Sequence, residues 1–261
     1  MDILEYFSGQ GSIFMGPRLG NGMPGTLRWV GDALMEFGFT PNETKFQENY
    51  TGQRGDALVL PGKTEANLSV TFLQFHDKNF EVVTRGETVE QDVDAVTDRV
   101  IGVAPLAVGD ILSLNAFNVS AVTIQDSTAG TPKTLAADTN YRLDPKAGQI
   151  EILDVTTGGP FTGNIVADLT PGAANIIKMM SGAAKEYWVR FVGTNTVPGA
   201  VWKNVVADFY RWSPPPSETM SLMHDGQSRL EAPLAGSLLA DSTKTANGEF
   251  GYFGRMVMLQ A

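Results

Sequence analysis

The feature that most constrains this chain is a period of two that recurs in short runs. Tyr187, Val189 and Phe191 alternate with Trp188, Arg190 and Val192, and Val205, Ala207 and Phe209 alternate with Val206, Asp208 and Tyr210. Leu230, Ala232, Leu234, Gly236 and Leu238 hold every second position, and a last strand runs through Phe253, Arg255, Val257 and Leu259. Successive strand residues point to opposite faces, so each run buries one side only. The proline triplet at 214–216 ends the second run, and Pro233 places its strand at an edge or bulge. Many short alternating strands separated by turns predict a mainly β chain, a sandwich or barrel.

The N-terminal part is less regular. Up to about Gly25 it is rich in glycine, holds Pro17 and Pro24, shows no period and is expected to be an irregular arm. Ala33, Met35, Phe37 and Phe39 alternate with Leu34, Glu36 and Gly38, which predicts a strand with a firmly buried face. Pro41 is expected to release the chain into a long polar loop over residues 42–62. Leu68, Val70 and Phe72 then alternate with Asn67, Ser69 and Thr71 until the pattern breaks at Leu73. Phe75 and Phe80 flank a helix start near His76 and Asp77 as a hydrophobic staple, Phe80 with Val83 supplies a buried stripe, and Gly86 stops the helix.

Glu87, Glu90, Asp92, Asp94 and Asp98 follow with no basic residue among them, the mark of a solvated acidic strand or loop. Residues 108–182 look like an inserted small β subdomain with the strands ILSL and VSAVTIQD and the hairpin TNYRLDPKAGQIEILD. In that hairpin Asp144, Pro145 and Gly148 carry the turn chemistry. The expected organisation is therefore 1–107, with the arm, first strands, long loop and helix; 108–182, the insertion; and 183–261, the strands that complete the main domain.

Catalytic chemistry finds little to work with. The chain has no cysteine, so a thiol nucleophile and a cysteine zinc site are excluded, and His76 and His224 are its only imidazoles. A hydrolase triad would need one of them, yet His76 reads as a helix-start residue and His224 as an exposed loop residue. Gly9, Gly11 and Gly16 lack the spacing and the βαβ context of a dinucleotide loop. No phosphate-binding loop or nucleophile elbow occurs, and the acidic residues from Asp144 to Asp154 lack the ligand spacing of a calcium loop. Among 29 acidic residues nothing selects a glycosidase pair. No enzymatic activity, cofactor or metal is expected.

The triplet Arg54-Gly55-Asp56 and the sequons at Asn42, Asn49, Asn67 and Asn118 need a secretory route, and the opening residues have no basic start followed by an apolar run. No segment approaches the roughly 18 apolar residues of a membrane span. A net charge of −10 argues against gripping nucleic-acid phosphates.

The order of the pieces is more telling than any motif. A glycine-rich start, LMEFGF, NETKFQENYTGQRGDALVLPGK, NLSVTF, HDKNFEVVTRG, a β insertion, KEYWVRFVGTN, VVADFYRW and a closing strand together resemble the major tail tube proteins of long-tailed, siphophage-like bacteriophages. The resemblance runs from about Val30 to Leu259 and is most specific over residues 50–86. It implies a β-sandwich of the tail tube type with one short flanking helix and an inserted subdomain. Such subunits form homohexameric rings that stack into a tube through which the genome leaves.

The implied partners are other copies, a tape-measure protein, tail-tip or distal tail proteins and a tail terminator. The implied location is the virion, after assembly in the host bacterial cytoplasm. In that family the long loop touches neighbouring subunits, which makes Thr44, Phe46, Tyr50, Arg54, Asp56 and Val59 the candidate inter-subunit residues, with Phe46 and Tyr50 as anchors. Phe75, Phe80 and Val83 would pack the helix. Glu87, Glu90, Asp92 and Asp94 would face lumen or solvent, where an acidic wall repels phosphates over a Debye length of about 8 Å and lets DNA pass without specific binding. The alternatives are a tube protein of a contractile injection or secretion device, a carbohydrate-binding module of a virion tip, and a histidine-dependent hydrolase.

Overall fold

The computed structural model describes residues 6–50, 52–223, 226, 229–244 and 248–260. In chain order its elements are β1 (Gly9–Pro17), β2 (Arg28–Trp29), β3 (Ala33–Gln47), β4 (Asp56–Phe72), α1 (Asp77–Val83), β5 (Glu87–Glu90), β6 (Val96–Val103), β7 (Ile111–Ser113) and β8 (Ser120–Asp126). They continue with β9 (Thr134–Leu135), β10 (Tyr141–Asp144), β11 (Gln149–Ile152), β12 (Asn164–Thr170), β13 (Asn175–Lys178), β14 (Tyr187–Asn195), β15 (Trp202–Ser213), β16 (Ala232–Leu238) and β17 (Gly254–Gln260). The protein is mainly β, with antiparallel sheets and one short helix among the described residues. Residues 1–87 and 178–261 make one unit and Thr88–Ile177 the other.

In the first unit β15 belongs to two layers. Its first part pairs with β14 on one edge and with β17 on the other, while its last residues, Trp212 and Ser213, pair with Leu238 and Ser237 of β16. One layer therefore runs β2-β1-β14-β15-β17 and the second runs β16-β4-β3. Ile13, Met15, Val189, Ala207, Phe209 and Trp212 from the first pack against Leu68, Val70, Phe72, Ala232, Leu234 and Leu238 from the second. The alternation that the sequence displays on β4, β14, β15 and β16 is the alternation that this core buries. Pro233 lies on the part of β16 that pairs with β4 alone, which is the edge position expected of it.

Two expectations for the N-terminal region are corrected. The stretch expected to be an irregular arm contains β1, which pairs along its whole length with β14 and buries Ile13 and Met15. Its period is hidden because Gly11 fills an inner position, and there the Phe191 ring lies over Gly11 and its cross-strand partner Gly193; a Cβ at Gly193 would overlap that ring. Pro41 does not end β3, which continues to Gln47. β3 is a sheet edge, where a missing N–H is tolerated, and the register shifts just beyond Pro41.

The helix is where the staple predicts it. Phe75 and Phe80 approach to 5.0 Å between ring centroids across the start of α1. Its buried side is Asn79, Val82 and Val83, with Phe80 half-buried. Asn79 carries no sequence signal, yet it docks the helix: its amide donates to the carbonyls of Val30 (2.7 Å) and Gln74 (2.8 Å), and Arg28 donates to its oxygen (2.8 Å). A buried amide whose bonds are all made is a strong positioning device.

The second unit begins at Thr88 rather than at 108 and ends at Ile177 rather than at 182. Its early start reflects β6, which pairs with β12 and so belongs to the insertion. Two sheets, β6-β12-β8-β9 and β10-β11-β7, enclose Leu114, Ile124, Tyr141, Ile150, Ile152 and Ile165. The expected hairpin is β10–β11: the Asp144 carboxylate accepts from the amides of Lys146 and Ala147, each at 3.1 Å, and Gly148 has φ +63°, where a Cβ would also overlap the Ala116 carbonyl oxygen.

Two buried carboxylates hold the outer face of the first layer. Asp208 accepts from Arg190 (2.6 and 3.1 Å), Arg255 (3.0 Å) and Trp188 (3.3 Å). Asp241 accepts from Arg18 (2.8 and 3.1 Å) and from the Thr243 hydroxyl (2.7 Å). Burial raises both carboxyl pKa values, but these donors outweigh it; Asp208 ends below the usual range and Asp241 at about 2. A folded pKa below the unfolded value of about 3.9 adds stability that is complete above about pH 5 and lost as pH falls through the folded value. Asp241→Asn should therefore lower the melting temperature at pH 7 and flatten its dependence on pH between about 4 and 2 in calorimetry; an unchanged acid profile would remove Asp241 from this role.

Candidate interaction surface

Residues 42–62, expected to be a loop, form instead the outer part of the β3–β4 hairpin. The two strands stay paired from Ala33↔Phe72 to Gln47↔Asp56. Near the sandwich Ala66, Leu68, Val70 and Phe72 are buried, but from Phe37 to Gln47 and from Asp56 to Glu65 every residue is exposed. At ~3.3 Å per residue, Thr40 to Gln47 alone carries the ribbon roughly 25 Å past the core. Such a ribbon has two solvated faces, and an isolated two-stranded hairpin is marginal in water. Among the described residues β3 also pairs along one edge only over its 15 residues.

Apolar side chains decorate this arm. Phe46 pairs across the strands with Leu58, Thr44 with Leu60, and Lys45 with Val59. Phe46, Leu58, Val59 and Leu60 are each about half exposed, and Tyr50, in the turn, is 86% exposed. The Glu48 amide donates to the Gly55 carbonyl (2.9 Å) and closes the turn, in which Arg54 takes φ +52°. Lys45 and Asp56 form an exposed ion pair at 3.6 Å, of a kind that adds little stability. The six residues singled out for this region, Thr44, Phe46, Tyr50, Arg54, Asp56 and Val59, thus all lie on the arm or its turn.

A second apolar surface carries no such signal. Met35, Phe37 and Phe39 follow the inner-face parity of β3, but Phe37 and Phe39 are not firmly buried as expected; they are 46% and 53% exposed. Phe37 stands 5.3 Å from the Phe209 ring and Phe39 6.1 Å from the Phe253 ring. Opposite them, Met256 and Met258 pair with Ala207 and Val205 and are exposed as well. The inner face of β17 is therefore the Met256 face, and Arg255 points to Asp208 on the other side. Here the two layers part around adjoining clefts of about 350 and 670 Å³. The clue in the sequence is Met256 and Met258 at alternate positions, which the neighbouring Val257 and Leu259 mask.

The remaining candidates are structural or solvated. His76 is the cap residue of α1, with Nε2 3.4 Å from the Arg28 guanidinium, and His224 lies outside the described residues. Glu87 and Glu90 are on β5, Asp92 and Asp94 in the following turn, and all four are exposed; Lys178 of β13 reaches Glu87 at 3.7 Å. Among the described residues no group of three or more His, Cys, Asp or Glu could hold a metal ion, and no helix is long and apolar enough to cross a membrane.

One family model, described as "Protein of unknown function UCP028589", matches residues 6–257. No curated protein matches the chain.

The two ends of one hairpin should respond oppositely to truncation. In chemical denaturation Leu68→Ala is expected to cost about 2–5 kcal/mol, whereas Phe46→Ser should change stability by less than about 0.5 kcal/mol. A large loss for Phe46→Ser in the monomer would mean that the arm packs on its own subunit.

Proposed function

We propose a function for a chain that belongs to that family: it is a structural virion protein that polymerises as stacked hexameric rings into a phage tail tube, the channel for genome delivery. The observation that carries this is the arm, a long paired ribbon with exposed apolar side chains and an open edge. A soluble monomer gains nothing from such a surface, whereas a subunit with neighbours on several sides uses both its faces and its edge. A contact between different surfaces of identical subunits, repeated along an axis, builds an open filament of any length. The likeness in element order to the tail tube proteins points the same way, and in this function the arm takes the part expected of the long loop.

The acidic balance fits a conduit. A net charge of −10 disfavours tight binding of phosphates, so DNA would pass without specific contacts. The other partners in this function are a tape-measure protein, the tail-tip proteins and a tail terminator, and the location is the virion, after assembly in the host bacterial cytoplasm.

Negative-stain electron microscopy of the purified protein at high concentration, with sedimentation alongside, tests this. Rings or hollow tubes are expected. A subunit that stays monomeric at every concentration, together with absence of the chain from purified virions, would overturn the proposal, and a net positive potential on the channel wall would overturn the account of DNA passage.

A further inference from the structure

The outer face of the first layer holds a buried lysine that no carboxylate claims. Lys244 lies between β16 and β17 and is buried. The acids of this face are committed elsewhere, Asp208 to Arg190 and Arg255 and Asp241 to Arg18, and among the described residues the Lys244 ammonium enters no ion pair. Its Nζ lies instead over three aromatic rings, 4.8 Å from the centroid of Phe250, 5.5 Å from that of Trp188 and 5.7 Å from that of Tyr210. All three distances fall within the roughly 6 Å over which a ring face attracts a cation, and the attraction grows where water is excluded. Water is excluded here, since Trp188 and Tyr210 are 3% and 0% exposed.

The backbone delivers the lysine to the rings. The Asp241 amide donates to the Tyr252 carbonyl (2.8 Å) and the Lys244 amide to the Asp241 carbonyl (3.0 Å), while the Thr243 hydroxyl is bound to the Asp241 carboxylate. A Cβ at Gly22 would overlap the Thr243 hydroxyl, so the turn between β1 and β2 lies directly against this segment. A second observation points to a ligand. The Tyr210 hydroxyl is buried and has no hydrogen-bond partner among the described residues, an arrangement that costs stability. A primary ammonium carries three N–H donors, so this class of cation can face the rings and also serve that hydroxyl.

We propose that Trp188, Tyr210 and Phe250 form a binding cage for a primary ammonium, and that Lys244 is its tethered ligand. The cage belongs to the single subunit and does not depend on the tube function above. A tethered ligand has an effective concentration that a free ion does not match. The native chain should therefore ignore alkylammonium ions in solution, and a chain that has lost the ammonium but kept the rings should bind them.

Lys244→Ala removes the atoms that n-propylammonium supplies. All four tryptophans, Trp29, Trp188, Trp202 and Trp212, lie in the first unit, so their fluorescence follows its melting alone. Lys244→Ala is expected to melt below the native chain. Propylammonium chloride at about 100 mM is expected to raise the variant's midpoint by about 2 °C or more over equal concentrations of sodium chloride and of propan-1-ol, with no such rise in the native chain.

A folded Lys244→Ala that shows no rise over both controls would overturn the cage. An equal rise in the native chain would overturn it too, because the ions would then act elsewhere. If Lys244→Ala does not fold, Phe250→Leu decides. Loss of the nearest ring should speed reductive methylation of Lys244 at least about five-fold relative to the exposed Lys63, read by mass spectrometry, and an unchanged ratio would overturn the proposal.

Discussion

The indole N–H of Trp212 donates to the Leu68 carbonyl at 2.9 Å, inside a pocket from which water is excluded, and much of the first unit is arranged around that bond. Trp212 stands near the end of β15, where that strand leaves β17 and meets β16. The bond therefore ties the two layers together at the place where they share a strand. A buried indole left without an acceptor would cost about 1–3 kcal/mol, besides the packing of a side chain this large. β16 and β17 share one edge of β15, β16 beside Trp212 and β17 beside Trp202 to Phe209, so the layers are joined at the Trp212 end and part toward β17, where the clefts beside Phe37 and Met256 lie.

The two faces of the first layer are finished in opposite ways. Its outer face is capped: Asp208 gathers Arg190, Arg255 and Trp188, while the Lys244 ammonium lies over the rings of Trp188, Tyr210 and Phe250 at 4.8 to 5.7 Å. Asp241 with Arg18, and Glu186 with Arg211, fasten the chain at its margin. Its inner face, by contrast, runs out from under the second layer and ends in Met256 and Met258. Bidentate, buried ion pairs resist fluctuation because each carboxylate is held by several donors.

Exposed apolar surface carries a risk of indiscriminate aggregation, and the molecule offsets it electrostatically. The net charge of −10 makes any two subunits repel at long range, so that only contacts matched in shape and local charge overcome the repulsion. The arm carries its apolar side chains among Glu43, Lys45, Glu48, Arg54, Asp56, Lys63 and Glu65, so no face of it is purely hydrophobic. Charges of both signs along an open edge strand are a common defence against unspecific strand pairing.

The sequence by itself determined the local features: the period of two on β4, β14, β15 and β16, the staple of Phe75 and Phe80 at α1, the turn at Asp144 to Gly148, and a chemistry without thiols. Each of these depends on neighbours within a few residues and is written in the order of side chains. Tertiary structure alone decided the rest. β1 became a strand because β14 pairs with it over a surface that Phe191 and two glycines complete, and Asn79 became a docking residue because Val30 and Gln74 present carbonyls to it. The polar stretch after Pro41 became an arm because β4 runs beside it, β6 joined the insertion because β12 does, and Met256 lines the clefts because its register with Ala207 sets which side of β17 is inward. Strand pairing is non-local, and a strand's register and neighbours decide which of its two faces is buried; neither is encoded within the strand itself.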